Sequence, residues 1–262
     1  MHLVDSHCHL DAGEFDGDRA DVVQRALAAG VRRIVVPAIA AEGWAKLREV
    51  CAQNSGTLPA YGLHPIALPM HRREHLPLLG DWIERERPVA IGECGLDFFI
   101  PELDAAEQRL YFEGQLQLAR DFDLPVIVHA RRAVEAVIVA IRRIGGLRGV
   151  VHSFAGSPEQ ARQLWDAGFL IGLGGPVTYE RANRLRRLAS TMPLEFLLLE
   201  TDAPDQPDSD HRGRRNEPAR LVTVARTIAG LREAAVEDIA FATAANAERL
   251  FRLRGDALRA TT

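Results

Sequence analysis

Short apolar runs alternate along the chain with longer stretches whose hydrophobic residues recur at helical spacing. The runs with strand character are 3–9, 33–38, 59–64, 89–94, 125–129, 149–153, 169–172 and 196–201. Clear helical patterns span 19–29, 44–53, 105–122, 134–143 and 158–167, and two more, 218–229 and 235–251, follow the last strand. Regular β–α alternation implies a parallel sheet. Eight such units in 262 residues predict an α/β protein with one (β/α)8 TIM-type barrel, a single domain over 1–262 with its core at about 3–253. An open doubly wound sheet would need a Gly-rich dinucleotide loop after the first strand. The segment there is Asp11-Ala12-Gly13-Glu14-Phe15, which is no such loop. No Pro/Gly/Ser-rich linker divides the chain, and the polar stretch 205–215 reads as the loop after the eighth strand.

Composition narrows the class. Hydrophobic residues make up 47% of the chain, enough for a sizeable core. A formal charge of −4 argues against a high-affinity duplex binder, yet suits an enzyme that holds a few phosphates locally. Cys8, Cys51 and Cys94 form neither a CxxC unit nor a disulfide framework, which points to a reducing compartment. No basic segment followed by an apolar run precedes the first strand, and no stretch is long enough to span a membrane. A soluble, cytoplasmic protein with no obligate protein partner is expected. Lys46 is the sole lysine.

The candidate chemistry collects at strand ends. Five of the nine histidines, His7, His9, His64, His129 and His152, end predicted strands, on the face where barrel enzymes place their active sites. His7 and His9 share one side of a strand by parity and can reach one ion, whereas Cys8 points away. Glu93 ends an apolar strand between glycines, as a ligand or as an ordinary loop carboxylate. His129 and His152 on neighbouring strands, one strand on from Glu93, suit a shared ion. Asp202 meets His7 and His9 once the barrel closes. Glu200 lies one layer deeper, either orienting a ligand histidine or held by an internal arginine or histidine. Four histidines and two carboxylates exceed the needs of one tetrahedral ion. Two ions roughly 3.5–4 Å apart, bridged by a carboxylate and a hydroxide, would use them all. Asp202 is then the natural general base.

These residues stand in segments that resemble the TatD-like metal-dependent hydrolases of the amidohydrolase-like barrel superfamily. The segments are Asp5-Ser6-His7-Cys8-His9-Leu10, Gly62-Leu63-His64-Pro65, Gly92-Glu93-Cys94-Gly95-Leu96-Asp97, Pro125-Val126-Ile127-Val128-His129-Ala130-Arg131, His152-Ser153-Phe154-Ala155-Gly156, Glu200-Thr201-Asp202-Ala203-Pro204 and Asn246-Ala247-Glu248-Arg249-Leu250-Phe251. Within the family the chain looks most like the YjjV-type bacterial subgroup, which shares the long loop after the last strand. The resemblance implies a deoxyribonuclease that hydrolyses phosphodiester bonds, typically from a 3′ end of DNA. It implies two divalent ions, zinc, manganese or magnesium. It assigns His7, His9 and Asp202 to one, His129 and His152 to the other, and Glu93 to the bridge. It makes His64 and Arg131 phosphate contacts. Four imidazoles favour zinc or manganese. Ser153 departs from the cysteine, tyrosine or glycine of many members.

The enzymatic rival is an amidohydrolase-type C–N or small-ester hydrolase on the same two-metal barrel. Many of those bridge their ions with a carboxylated lysine, which Lys46, in the helix after the second strand, cannot supply; Glu93 must. A non-catalytic metal or nucleotide binder would not need the full ligand set with Asp202. A short or single-stranded DNA or nucleotide substrate is expected, since no nucleic-acid-binding domain is added. Two features stay open: Phe98 and Phe99 flank a base or line the core, and the arginines of 209–218 bind phosphate or are solvated.

Overall fold

The computed structural model describes residues 1–253. Its strands are β1 (Leu3–Asp5), β2 (Val31–Pro37), β3 (Thr57–Tyr61), β4 (Ala90–Asp97), β5 (Val126–Arg131), β6 (Gly149–Val151), β7 (Phe169–Leu173) and β8 (Leu197–Leu199). The helices are α1 (Arg19–Ala28), α2 (Trp44–Gln53), α3 (His75–Glu86), α4 (Ala105–Asp121), α5 (Val134–Ile144), α6 (Pro158–Asp166), α7 (Asn183–Thr191), α8 (Leu221–Leu231) and α9 (Val236–Leu250). Each strand pairs in parallel with the next, from β1 round to β8. Backbone bonds from Ser6 N–H to Leu199 O (3.0 Å) and from Asp202 N–H to His7 O (2.8 Å) join β8 back to β1. The buried Asp5 carboxylate fastens the same seam, accepting from Thr201 N–H (3.0 Å) and its hydroxyl (2.6 Å). The architecture is the (β/α)8 barrel that the alternation implies.

One end of the barrel is plugged. Val4, Val35, Ala60, Ala90, Ile127, Val150, Leu170 and Leu198, one from each strand, form a buried cluster with Ala244, Ala247 and Leu250 of α9. Asn246 of α9 donates to Leu194 O and Leu197 O, which places the helix under the N-terminal ends of the strands. The opposite, C-terminal end is open to a cavity lined by both polar and apolar side chains. Among the described residues no helix is long and apolar enough to cross a membrane.

Two boundaries differ from the sequence reading, for a physical reason. β1 ends at Asp5, because His7–His9 exchange regular pairing for bonds to β2 and the loop after β8. β4 runs on to Asp97 through a bulge: Ile91 pairs Val126 but Cys94 pairs Val128, so one extra residue is accommodated. Gly92 permits it, with φ of 149° and room for no Cβ, which would lie 2.8 Å from Ile127 Cβ. Glu93 therefore sits inside a bulged strand rather than at its end. Two helices fill connections where the pattern is weak. α3 contains Pro77 and Gly80, and α7 buries only Leu188 and Ala189.

Candidate metal centre

Glu93 is the hub. Its Oε2 lies 3.1 Å from His7 Nε2 and 3.4 Å from His9 Nε2. Its Oε1 lies 2.7 Å from His152 Nε2, 3.0 Å from His64 Nε2 and 3.1 Å from His129 Nδ1. Asp202 Oδ1 stands 3.4 Å from His7 Nε2 and 3.6 Å from His9 Nε2. One carboxylate thus faces two groups of donors, one oxygen to each. Three sets within this cluster could each hold an ion: His7, His9 and Asp202; His7, Glu93 and His152; and His64, Glu93 and His129.

The outer contacts orient which ring nitrogen of each histidine faces the cluster. His9 Nδ1–H donates to Pro37 O (3.2 Å), which leaves Nε2 bare towards Glu93. His129 Nε2–H donates to Asp97 Oδ2 (3.0 Å), which makes Nδ1, facing Glu93 and His152, the nitrogen that would ligate an ion. His64 is reversed. Ile66 N–H donates to its Nδ1 (2.9 Å), so in the neutral ring Nε2 carries the hydrogen and donates to Glu93. His64 is therefore built as a donor, and His9 and His129 as ligands.

The field around Glu93 favours added positive charge. Burial alone would raise the Glu93 carboxyl, but His152, His64 and His7 outweigh it and hold the group well below the usual carboxylate range. Burial, then the charge of His152, keeps His7 down at about 4, a bare donor. Burial also pulls on His9 and His152, yet Glu93, assisted by Asp202, lifts them to about 9 and about 10. His64 is lowered, chiefly by burial, and stays neutral. The fit to a divalent ion shows in the unshared atoms. His7 Nε2 and His9 Nε2 converge to 3.1 Å, and the buried Glu93 Oε2 beside them has no hydrogen-bond partner. His7 is a bare donor, and an ion displacing the protons that Glu93 favours on His9 and His152 would complete a coordination set around an ionised carboxylate.

The loop after β8 completes the site. Gln206 Nε2 donates to Asp202 Oδ2 (2.5 Å), and the Ser153 hydroxyl donates to Gln206 Oε1 (2.9 Å), fixing which way the amide points. Asp202, Ser153 and Gln206 all have left-handed backbone, at φ of 57°, 44° and 49°. Such conformations cluster where surrounding structure holds them for function. The cluster forms part of the wall of a cavity of about 1060 Å3 that also reaches Arg131, Arg132 and Arg184.

A family model described as TatD related DNase matches residues 4–252. The chain belongs to the TatD family of metal-dependent hydrolases. It is 39% identical over 252 residues to the uncharacterized metal-dependent hydrolase YjjV of Escherichia coli K12, covering 95% of this chain and 97% of that one. Identity to the uncharacterized metal-dependent hydrolase YabD of Bacillus subtilis is 36% over 253 residues, covering 96% and 99%. The crystal structure of E. coli YjjV superposes with a TM-score of 0.91 at 37% identity, covering 96% of this chain and 98% of that chain.

Within this TatD-family barrel, His7, His9, His64, Glu93, His129, His152 and Asp202 converge as described. Arg131 stands at the end of β5, exposed, its guanidinium 3.6 Å from the Phe99 ring centre. Phe99 is exposed, while Phe98 packs against the core. Glu200 is buried and lifted to about 8, by burial first. It accepts from Ser153 N–H (2.5 Å), and its Oε1 stays 3.8 Å from His152 Nδ1, outside hydrogen-bond range. Cys8 is buried beside Ala203 O and faces away from the cluster. Lys46 pairs with Asp16 at the surface (2.9 Å). In the loop after β8, Arg215 binds Asp18 (2.7 Å) instead of facing the cavity. The sequence reading assigned no role to Asp97, Gln206, Gln108 or Gln115. Gln108 and Gln115 of α4 pin the backbones of Asp97 and Leu63, beside His129 and His64. Their signal was two polar residues seven apart on the inward face of a helix.

Proposed function

We propose that this protein is a two-metal phosphodiesterase, a deoxyribonuclease acting on single-stranded or short DNA ends. The observation that carries the reading is the division of Glu93, with Oε2 towards His7 and His9 and Oε1 towards His129 and His152. His7, His9 and Asp202 would hold one ion and His129 and His152 the other, Glu93 lending an oxygen to each. Four imidazoles suit zinc or manganese better than magnesium. Two such ions, when bound, acidify the water between them and neutralise phosphate charge.

The chain's own groups do the rest. Gln206 occupies Asp202 Oδ2 and turns Oδ1 to the cluster, where it takes the proton of the attacking water. His64 Nε2–H is the donor for a phosphate oxygen. Arg131, backed by the Phe99 ring, is a fixed cation for the same phosphate. The free cysteines, with Cys8 and Cys94 buried, support a cytoplasmic setting.

The test assays metal-reconstituted protein on single-stranded DNA, RNA, mononucleotides and simple amides. DNA should be cleaved, and Glu93→Ala and Asp202→Asn should each lose on the order of 10²–10⁴ in kcat. Amide turnover without phosphodiester turnover would overturn the nuclease reading. Full activity in both variants would overturn the site assignment.

A further inference from the structure

A smaller hollow, an annex, adjoins the main cavity. Its volume is about 250 Å3, and the two share Ala155, Gly156, Arg184 and Leu185 as walls. Arg181, Ala182 and Asn183 complete the annex. Arg184 is fixed at the junction by one bond to Ala155 O (2.7 Å), which leaves most of its five N–H donors for other partners. Among the described residues, neither Arg181 nor Arg184 has a carboxylate partner, although at least eleven other arginines do.

The charge around the mouth is uneven. Arg131 and Arg132 border the cavity after β5, and Arg184 continues the positive side towards α7. Glu14 and Asp205 lie on the side of the β8–β1 seam, and Glu135 of α5 is engaged by Gln160. The arginines also sit where they do not help the helix. Arg184, Arg186 and Arg187 crowd the start of α7, the first turn has no acidic residue, and Ala182 supplies no side-chain cap. A cation in the first turn of a helix meets the positive end of its dipole. An anion against this face would offset that repulsion. The main cavity alone already matches the upper end of roughly 300–1,000 Å3 that holds a small ligand. The annex is space beyond it.

We propose that the annex is a second phosphate subsite, in which Arg184 and Arg181 bind a phosphate group of the substrate remote from the scissile one. The proposal rests on the phosphodiesterase reading and adds a length requirement to it. A substrate with only one phosphate leaves the annex empty. An adjoining phosphodiester and a terminal phosphomonoester would both fill it.

The experiment compares wild type with the R181A/R184A double variant, and with R32A/R226A as a charge-matched control of exposed arginines away from both hollows. Binding of fluorescein-labelled pentathymidylate is followed by anisotropy in EDTA across a salt series. Losing the contact to that one phosphate should flatten the slope of log K against log salt by about 0.7 on single strands. With metal restored, KM for the pentamer should rise severalfold in the double variant, and far less for thymidylyl-thymidine. Thymidylyl-thymidine bearing a terminal phosphate, set beside the trinucleotide, shows which phosphate source fills the annex. Wild-type salt slope and length dependence in the double variant, or equal effects from the control, would overturn the subsite. Arginine-dependent binding without any phosphodiester turnover would uphold the subsite and overturn the nuclease reading instead.

Discussion

Asp97 decides which nitrogen of His129 carries the proton. A carboxylate only accepts, so Asp97 keeps a hydrogen on Nε2, and Nδ1, facing Glu93 and His152, is the nitrogen that would give up its proton to an ion. His129 Nδ1 should coordinate well only while Asp97 holds that tautomer. Asp97→Ala should weaken zinc or manganese binding at one of two equivalents by about 10–100-fold in calorimetric titration. Asp97→Asn, whose amide oxygen still accepts, should retain more of the affinity. Equal affinities in wild type and Asp97→Ala would remove this role. The ligands themselves were legible because each ends an apolar run or stands beside one. Asp97 was not, because reading the fourth strand as ending at Cys94 put it in a loop. The bulge at Glu93 carries β4 three residues further and pairs Asp97 with Arg131. A bulge is a matter of local strand pairing, which hydrophobic periodicity does not report.

Helix α4 acts on the site from behind. Its Gln115 side chain accepts from Leu63 N–H (2.7 Å) and donates to Leu63 O (3.1 Å), both buried, and Leu63 precedes His64. Gln108, two turns earlier on the same face, does the same for Asp97 (2.7 and 2.9 Å). Gln115→Leu keeps the bulk but strands two backbone groups out of water. Each buried unsatisfied group costs about 1–3 kcal/mol, so the urea midpoint should fall by at least one such step. KM for a phosphodiester should rise as His64 loses its anchor. An unchanged midpoint and KM would show that the amide carries no weight. At this scale the strands were legible in number and order, since alternation of short apolar runs and helices is a property of the chain itself. Helix α7, expected after the seventh strand, shows no clear pattern because four of its nine residues, Asn183, Arg184, Arg186 and Arg187, are amide or guanidinium side chains and it buries only Leu188 and Ala189. Its place depends on packing against the barrel, not on its own pattern.

The closed ring brings together residues that the sequence holds far apart, and nowhere further than at the seam. The loop after β8 is held from inside by Asn216, which donates to Thr201 O (2.9 Å) and Asp205 O (2.8 Å). From outside it is tied to α1 and its N-cap. Arg215 binds both oxygens of Asp18 (2.8 and 2.7 Å), and Arg25 binds Glu217 (2.7 Å). Asp18 and Arg215 stand 197 residues apart in the chain, so no local pattern announces the pair. The same loop carries Gln206 to Asp202, so closure of the seam and geometry of the site share one segment. The pair should show itself in acid. The Arg215 hydrogen bonds, with help from Arg25, hold Asp18 at about 2, below its ordinary 3.8. Above 3.8 the carboxylate is ionised in folded and unfolded chains alike, and its contribution to stability is complete. Between 3.8 and about 2 the unfolded chain binds the proton first, so stability falls with pH, and below about 2 the contribution is gone. The difference in Tm between wild type and Asp18→Asn should therefore be constant at pH 5 and above, and shrink as pH drops through this window. Asp18 and Arg215 are each about one-third exposed (34% and 33%), so the difference should also shrink in 1 M salt, where charges are screened beyond about 3 Å. A Tm difference that stays the same from pH 5 to pH 2 would mean that the loop is held by Asn216 and the backbone alone.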